Sequence, residues 1–161
     1  MNDSPSIMAA ISRLDLLSPA GYAMAFHISY TTPKFLFQTY NSQWREEYSK
    51  QGLVLQDPTV KWGFENTGKI DWRDLTDSDE SGVLEQARAH GLEHGFTFSL
   101  APNNSKTITS FARGDRECTA AEITEITAIV AELHDYTADI DEFSSTELAQ
   151  LKQMSVDFTH H

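Results

Sequence analysis

The chain has 161 residues, of which 40% are hydrophobic and 11% aromatic, which is enough apolar surface for one folded domain and at most a fragment of a second. Its formal net charge of −12 would repel a polyphosphate, so we do not expect this chain alone to hold nucleic acid tightly. The single cysteine, Cys118, excludes an internal disulfide bond, and the lack of an apolar run of about 20 residues predicts a cytoplasmic protein without a membrane segment.

The first part of the chain predicts a helix, a hairpin and two further helices. Apolar residues recur at helical spacing over residues 7–17, where a Ser-Pro pair ends the segment. The runs YAMAFHISY and KFLFQTY are compatible with β-strands on either side of a Thr-Thr-Pro turn. Asn41 or Ser42 is a candidate cap for a helix that carries Trp44. Asp57-Pro58 then interrupts the chain before a second short helix, because the residue before proline avoids the helical region.

The second part predicts a loop, a helix, two strands and a long final helix. Residues 71–82 are acidic and loop-like, and VLEQARAHGLEHG predicts a helix that ends at Gly91 and Gly95. FTFSLA and TITSFA are strand candidates. Thr119 and Glu122 form a capping box for a helix whose apolar stripe should lie on the sheet. Helices that flank a central antiparallel sheet predict an α/β/α sandwich.

Aromatic residues and one aspartate cluster between residues 40 and 72. Tyr40, Trp44 and Tyr48 are four residues apart, so any helical part of this segment stacks them on one face. Indole N–H and phenol O–H groups donate hydrogen bonds, whereas a carboxylate such as Asp57 accepts them. A ligand with two carbonyl groups and one N–H would satisfy all of these groups. The alternative is that Trp44 and Trp72 are ordinary core aromatics and that Asp57 only caps a turn.

The string YNSQWREEYSKQGLVLQDPTV, followed by TGKIDWRDL and ARAHGLEHGFTFSL, resembles the autoinducer-binding domain of LuxR-type quorum-sensing transcription regulators. In that family a tryptophan is followed after 4 residues by tyrosine and after 13 by Asp-Pro, and a second tryptophan lies 15 beyond the aspartate. Trp44, Tyr48, Asp57 and Trp72 meet each interval. The resemblance extends from about residue 7 to the C-terminus. It implies a sandwich similar to PAS and GAF domains, a homodimer, and an N-acyl homoserine lactone as ligand.

The resemblance also implies roles for these side chains. The Trp44 indole N–H would donate to the lactone carbonyl, Asp57 would accept the ligand amide N–H, and the Tyr40 hydroxyl group would donate to the acyl carbonyl. Tyr48 and Trp72 would form walls around the lactone ring. We expect the Asp57 carboxylate to lack a hydrogen-bond partner until the ligand supplies its amide N–H.

Further positions match the family less directly. Thr59 and Ser110 correspond to positions that add polar contacts, although Ser110 aligns only after a small deletion in the preceding loop. Gly95 matches the glycine where a helix turns into a strand, and its lack of a Cβ permits close packing or a positive φ there. The residues expected along the acyl chain include Ile28, Phe35 and Phe37.

Two departures from the family pattern keep an alternative open. The proline usually found four residues after Gly95 is Ser99 here, and residues 67–70 lack the proline often found before the second tryptophan. These changes affect loop rigidity more than ligand polarity. An orphan regulator, or a sensor domain with an altered or absent lactone response, is therefore the alternative interpretation.

Neither an enzyme nor a metal protein is predicted. His90 and His94 are four residues apart, but Gly91 lies between them and no nearby acidic or cysteine partner stands at ligand spacing. A lactone hydrolase would need an activated water or a serine with a base, and the chain has neither HExxH nor GxSxG. We expect no catalytic residue, no metal and no cofactor besides the small-molecule ligand.

The last residues predict a second domain that only begins here. FSSTELAQLKQMSVDFTHH resembles the opening of the family's helix-turn-helix domain. We therefore predict an autoinducer-binding domain over residues 1–140, and a linker with the truncated start of a DNA-binding domain over residues 141–161. DNA would be bound only through the missing C-terminal domain. The alternative is an amphipathic tail that follows the ligand-binding domain.

Overall fold

The computed structural model describes residues 7–154 and 156–160, the last three as backbone. Within these ranges the chain forms six α-helices and one six-stranded antiparallel sheet, with short 3-10 turns between them. The helices are α1 (Ile7–Leu17), α2 (Ser42–Lys50), α3 (Pro58–Glu65), α4 (Val83–Ala89), α5 (Ala120–Ala138) and α6 (Ser145–Gln153). The strands are β1 (Gly21–Ile28), β2 (Phe35–Gln38), β3 (Gly68–Asp71), β4 (His94–Leu100), β5 (Lys106–Arg113) and β6 (Asp157–His160). Their spatial order is β3-β4-β5-β1-β2-β6.

Local signals account for most of these elements. The β1–β2 hairpin pairs antiparallel as predicted. Asn41 caps α2 by accepting a hydrogen bond from the main-chain N–H of Trp44, and Asp57 caps α3 with proline at the first helical position. Thr119 and Glu122 form the predicted capping box at the start of α5.

Successive side chains in a strand point to opposite faces of the sheet, and the two faces pack against different helices. One face, here called the core face, is mainly apolar and packs against α1, α5 and α6. Its strand residues include Tyr22, Met24, Phe26, Phe35, Phe37, Phe96 and Phe111. The opposite face, here called the cavity face, is covered by α2, α3 and α4. The predicted α/β/α sandwich is confirmed.

One strand was not predicted, and two local predictions were wrong. Residues 68–71 form the edge strand β3, which no pattern indicated because none of its residues is buried. The acidic segment after it begins with a 3-10 helix, Trp72–Ser78, rather than a plain loop. Gly95 lies inside β4, so only Gly91, with φ of 89°, ends the helix before it.

The C-terminal segment packs on the core face. Ser144 and Glu147 form a capping box for α6, and Phe143 and Leu151 are buried in the core cluster. The rings of Phe143 and Phe35 lie 4.7 Å apart between centroids. Strand β6 then pairs with β2 at the edge of the sheet. Residues 143–154 and 156–157 are therefore an integrated part of this fold, and the domain boundary at residue 140 stays a prediction.

Candidate functional site

A cavity of about 720 Å³ lies between the cavity face of the sheet and helices α2, α3 and α4. The structure brings all of the site residues predicted from the sequence to this one cavity. They are Tyr40, Trp44, Tyr48, Asp57, Thr59, Trp72 and Ser110. Residues that are up to 70 positions apart in the chain thus form a single lining.

The sheet forms the floor of the cavity in rows that run across the strands. Strand register places Gln38, Ala23, Ser110 and Thr97 in one row across β2, β1, β5 and β4. The next row consists of Leu36, Ala25, Ile108 and Ser99. The two alanines at the centre of the floor leave room above the sheet, because their side chains end at Cβ. The first row is polar at both ends, and the second is apolar toward β2.

A third row of small residues makes room for two of the aromatic rings. Gly21 and Gly95 both pair with Ala112 in the sheet. A Cβ on Gly95 would lie 2.4 Å from the indole ring of Trp72, and one on Gly21 would lie 2.8 Å from the Tyr40 ring. Gly95 therefore permits close packing, which is the first of the two roles that the sequence suggested for it, whereas Gly21 combines close packing with a φ of 111°.

Asp57 is the acidic group of the cavity, and its side chain is half-buried. Its Oδ1 atom accepts hydrogen bonds from the main-chain N–H and the hydroxyl group of Thr59, at 2.8 and 2.7 Å. Its Oδ2 atom accepts one from the Tyr48 hydroxyl group at 2.7 Å. The expectation that this carboxylate lacks a partner was therefore wrong, because the helix cap and α2 already supply donors. Asp57 both caps α3 and lines the cavity, so the two interpretations of the sequence do not exclude each other.

The electrostatics of Asp57 reflect a balance between burial and these donors. Burial raises the pKa of Asp57, and the hydrogen bonds from Thr59 and Tyr48 oppose that rise. A carboxylate can accept about four hydrogen bonds, so Oδ2 retains capacity for one more donor. Burial also raises the pKa values of Tyr40 and Tyr48, which keeps both phenols protonated as donors at neutral pH.

A chain of hydrogen bonds beneath the cavity orients the Ser110 hydroxyl group. The Trp72 indole N–H donates to Oγ1 of Thr97 at 3.1 Å, and Oγ1 of Thr97 lies 2.7 Å from Oγ of Ser110. Thr97 is fully buried, and donating to Ser110 is the arrangement that uses its own hydroxyl hydrogen. The Ser110 hydroxyl hydrogen is then available to an acceptor in the cavity. The indole N–H of Trp72 is already used within the protein.

Two further donors belong to Tyr40 and Trp44. The Tyr40 hydroxyl group makes only a long contact, 3.4 Å, to the main-chain oxygen of Ser110. The Trp44 ring packs against Tyr48 and His90 with centroid distances of 5.7 and 5.4 Å. Among the described residues none accepts a hydrogen bond from the Trp44 indole N–H. This N–H belongs to a ring that lines the cavity and is a donor without a protein acceptor in the described part of the chain.

Apolar residues form most of the remaining lining. They are Ile28, Pro33, Leu36, Val54, Leu55, Val60, Phe64, Val83, Leu84, Leu92 and Ile108, together with three alanines. Leu55 is 89% exposed and Val54 49%, so the cavity opens to solvent beside the 3-10 turn after α2. Ile28 lines the cavity as expected, but Phe35 and Phe37 do not. Both lie on the core face, because the strand parity that places Leu36 and Gln38 in the cavity places their neighbours on the other side.

Sequence reasoning missed several polar residues of the site. Thr97 and Gln38 lie in apolar strands, and a polar residue inside such a run was the available signal for both. Arg45 also lines the cavity, where its Nε donates to the main-chain oxygen of Tyr40 at 2.9 Å and its guanidinium pairs with Asp157 of β6. It therefore connects the cavity to the C-terminal strand.

Other kinds of site were sought in the same residues. Over residues 7–154 and 156–160, no group of three His, Cys, Asp or Glu side chains is arranged to hold a metal ion. His90 instead lies 3.5 Å from a Glu47 carboxylate oxygen. None of the helices described has the length and apolar character needed to cross a bilayer.

The fold and the cavity together define a small-molecule-binding α/β/α domain. A family model described as the autoinducer binding domain matches residues 19–136. The chain belongs to this family, the ligand-binding domain of LuxR-type quorum-sensing regulators.

Named relatives agree with this assignment. Regulatory protein SdiA of Escherichia coli K12 is 33% identical over 98 residues, 60% of this chain and 39% of that protein. The quorum-sensing regulator RhlR of Pseudomonas aeruginosa is 30% identical over 107 residues, 65% of this chain and 44% of that protein. The chain thus spans less than half the length of these relatives.

Solved structures share the fold. SdiA in complex with octanoyl-rac-glycerol superposes with a TM-score of 0.63 at 22% identity, covering 96% of this chain and 71% of that one. CepR2 of Burkholderia cenocepacia, described as an N-acylhomoserine lactone-dependent LuxR-family transcription factor, gives 0.61 at 16% identity, covering 80% and 78%.

Proposed function

We propose that the cavity binds one N-acyl homoserine lactone. The observation that carries this proposal is that the seven residues predicted from the sequence line one cavity and offer the complementary set of donors and acceptors. In this arrangement the Trp44 indole N–H donates to the lactone carbonyl, and Oδ2 of Asp57 accepts the ligand amide N–H. The hydroxyl groups of Tyr40 and Ser110 donate to the acyl carbonyl.

The surroundings of these groups support the same orientation. Tyr48 and Trp72 flank the polar groups and would enclose the lactone ring, with Thr59 holding the carboxylate in place. The apolar residues beside Leu36 and Ile108 would cover the acyl chain. Burial of a flexible chain against such a surface supplies about 25 cal/mol for each Å² of apolar area removed from water.

We further propose that the full-length protein is a homodimeric transcription regulator whose DNA binding depends on the ligand. This chain, with a net charge of −12, would contribute the ligand response and would leave DNA contacts to a C-terminal domain. The absence of promoter binding by the 161-residue chain at physiological salt is the expected result. A specific electrophoretic shift of promoter DNA by this chain would contradict the proposal that a C-terminal domain makes the DNA contacts.

A second class of ligand is favoured by one specific observation. SdiA, which shares this fold, has been solved with octanoyl-rac-glycerol, a neutral ligand with a polar head and an acyl chain. The cavity described here has the same division into a polar and an apolar part. A monoacylglycerol is therefore the alternative occupant, and it corresponds to a regulator with an altered lactone response.

A melting experiment separates these ligands. The protein is heated with N-acyl homoserine lactones of four to fourteen carbons and, in parallel, with octanoylglycerol. A ligand at 100 times its Kd stabilises the fold by about 2.7 kcal/mol, which moves the Tm of a domain this size by several degrees. If no lactone raises the Tm, the proposal is wrong, and a shift with octanoylglycerol alone establishes the alternative. Mass spectrometry of the molecule that copurifies from a lactone-producing host gives an independent identification.

A further inference from the structure

Gln38 is a polar side chain of the cavity that none of the proposed ligand contacts uses. It lies on β2 and pairs with Ala23, which in turn pairs with Ser110 on β5. Gln38 and Ser110 are therefore two strands apart in one row, about 10 Å between Cα atoms at the usual strand spacing. Only the methyl group of Ala23 stands between them on the floor of the cavity.

The chemistry of Gln38 stands out from its immediate neighbours. Leu36 precedes it on the same face, and Ala25 and Ala23 lie across from them on β1. Among the described residues, the Gln38 side-chain amide forms no hydrogen bond with another protein group. The nearby guanidinium of Arg45 differs in this respect, because it is paired with the main-chain oxygen of Tyr40 and with Asp157.

We propose that Gln38 determines specificity by recognising an oxygen substituent on the acyl chain close to its carbonyl group. The proposal rests on the proposed function, because it takes the acyl carbonyl to lie beside Tyr40 and Ser110. An acyl chain that runs from Ser110 across Ala23 toward β2 passes the Gln38 amide within its first few carbons. The 3-position is the first substituted carbon on that path.

The amide group suits both common oxidation states of that carbon. A 3-oxo group only accepts hydrogen bonds, and the Gln38 –NH₂ donates to it. A 3-hydroxy group donates and accepts, so either end of the amide serves. An unsubstituted acyl chain removes water from the amide without replacing its hydrogen bonds, which lowers affinity.

The test measures the binding of three types of lactone, which differ at the 3-position of the acyl chain, to three variants of the protein. The unsubstituted, 3-oxo and 3-hydroxy lactones, at eight and at twelve carbons, are titrated by calorimetry into wild type, Gln38→Met and Gln38→Glu. Methionine keeps the length of the side chain without its polar atoms, and glutamate keeps only acceptors. Gln43→Met is the matched control, since Gln43 is exposed on α2 and does not line the cavity. Melting of each ligand-free variant verifies folding.

Wild type is expected to bind at least one oxygenated lactone about five- to tenfold more tightly than the unsubstituted one, the value of one hydrogen bond. Gln38→Met should abolish this preference without weakening the unsubstituted lactone, and Gln38→Glu should lose the 3-oxo ligand more than the 3-hydroxy one. Gln43→Met should bind like wild type. An unchanged preference in Gln38→Met, or none in wild type, overturns the inference while lactone binding stands. Failure of wild type to bind any lactone overturns the proposed function and the inference with it.

Discussion

The hydroxyl group of Tyr48 donates a 2.7 Å hydrogen bond to Oδ2 of Asp57, and this bond joins α2 to the first turn of α3. Tyr48 is therefore more than an aromatic wall, because it also holds the carboxylate that we propose as the ligand acceptor. With Thr59 on the other oxygen, the carboxylate is oriented before any ligand arrives. Such preorganisation reduces the entropy that a ligand must lose to be recognised.

Asp57→Asn should weaken lactone binding by about 1 to 3 kcal/mol, because the new amide can present an N–H to the ligand N–H. Isothermal titration with the best lactone measures the loss. Asp79→Asn is the matched control, since Asp79 also accepts main-chain hydrogen bonds at the start of a helix, α4, but does not line the cavity. Equal affinities of Asp57→Asn and wild type would show that Asp57 only caps α3.

The stability of the ligand-free protein should depend on pH through Asp57. Because burial raises its pKa in the folded state above the ordinary 3.8, folding favours the protonated form. The stabilisation is present below about pH 3.8 and is lost as the pH rises through the folded-state pKa. The free energy of unfolding of wild type minus that of Asp57→Asn, from urea titrations at a series of pH values, should therefore fall with rising pH. A flat or rising difference would mean that the hydrogen bonds outweigh burial.

Trp44→Phe should cost about 1 to 3 kcal/mol of lactone binding, because it removes the proposed donor to the lactone carbonyl. The rise in Tm on ligand addition should be smaller in the variant than in wild type; the Tm of the ligand-free variant should also fall, because the smaller ring loses packing against Tyr48 and His90. Trp62→Phe is the control, as Trp62 lies on α3 outside the cavity lining. Trp62→Phe should keep the full ligand-induced rise in Tm. If Trp44→Phe keeps it as well, Trp44 does not bind the lactone carbonyl.

Thr97→Val should destabilise the protein by about 1 to 3 kcal/mol, because it leaves the buried Trp72 N–H without an acceptor. It also frees the Ser110 hydroxyl group from its orienting partner, so lactone affinity should fall in addition. Denaturant unfolding and calorimetry measure the two effects. In a Trp72→Phe background Thr97→Val should lower the free energy of unfolding by less, since no indole N–H remains to lose its acceptor. An equal loss in both backgrounds would show that Thr97 does not stabilise the protein through Trp72.

Gly95→Ala should destabilise the fold by about 1 to 3 kcal/mol, the usual cost of overpacking, because the new methyl group meets the Trp72 ring. The displaced ring should also weaken lactone binding. Thermal melting of Gly95→Ala, Trp72→Phe and the double variant checks the cause. Gly95→Ala should lower the Tm less in the Trp72→Phe background than in wild type. If the effects of the two substitutions on the Tm simply add, the contact between the new methyl group and the Trp72 ring is not the cause of the loss.

The sequence by itself determined the features that depend on neighbours in the chain. The Thr119 capping box and the Asp57-Pro58 helix start are local hydrogen-bonding arrangements, and both lie where the pattern placed them. The intervals between Trp44, Asp57 and Trp72 likewise identified the family and the residues that meet in the cavity.

Only the tertiary structure decided which strand residues face the cavity. Central strands are buried on both faces, so no alternation of polar and apolar residues shows their parity, and Phe35 and Phe37 were assigned to the wrong face. The same holds for the row from Gln38 to Thr97, because it depends on the pairing of β1 with β5, which joins two hairpins that are far apart in the chain and has no local signal.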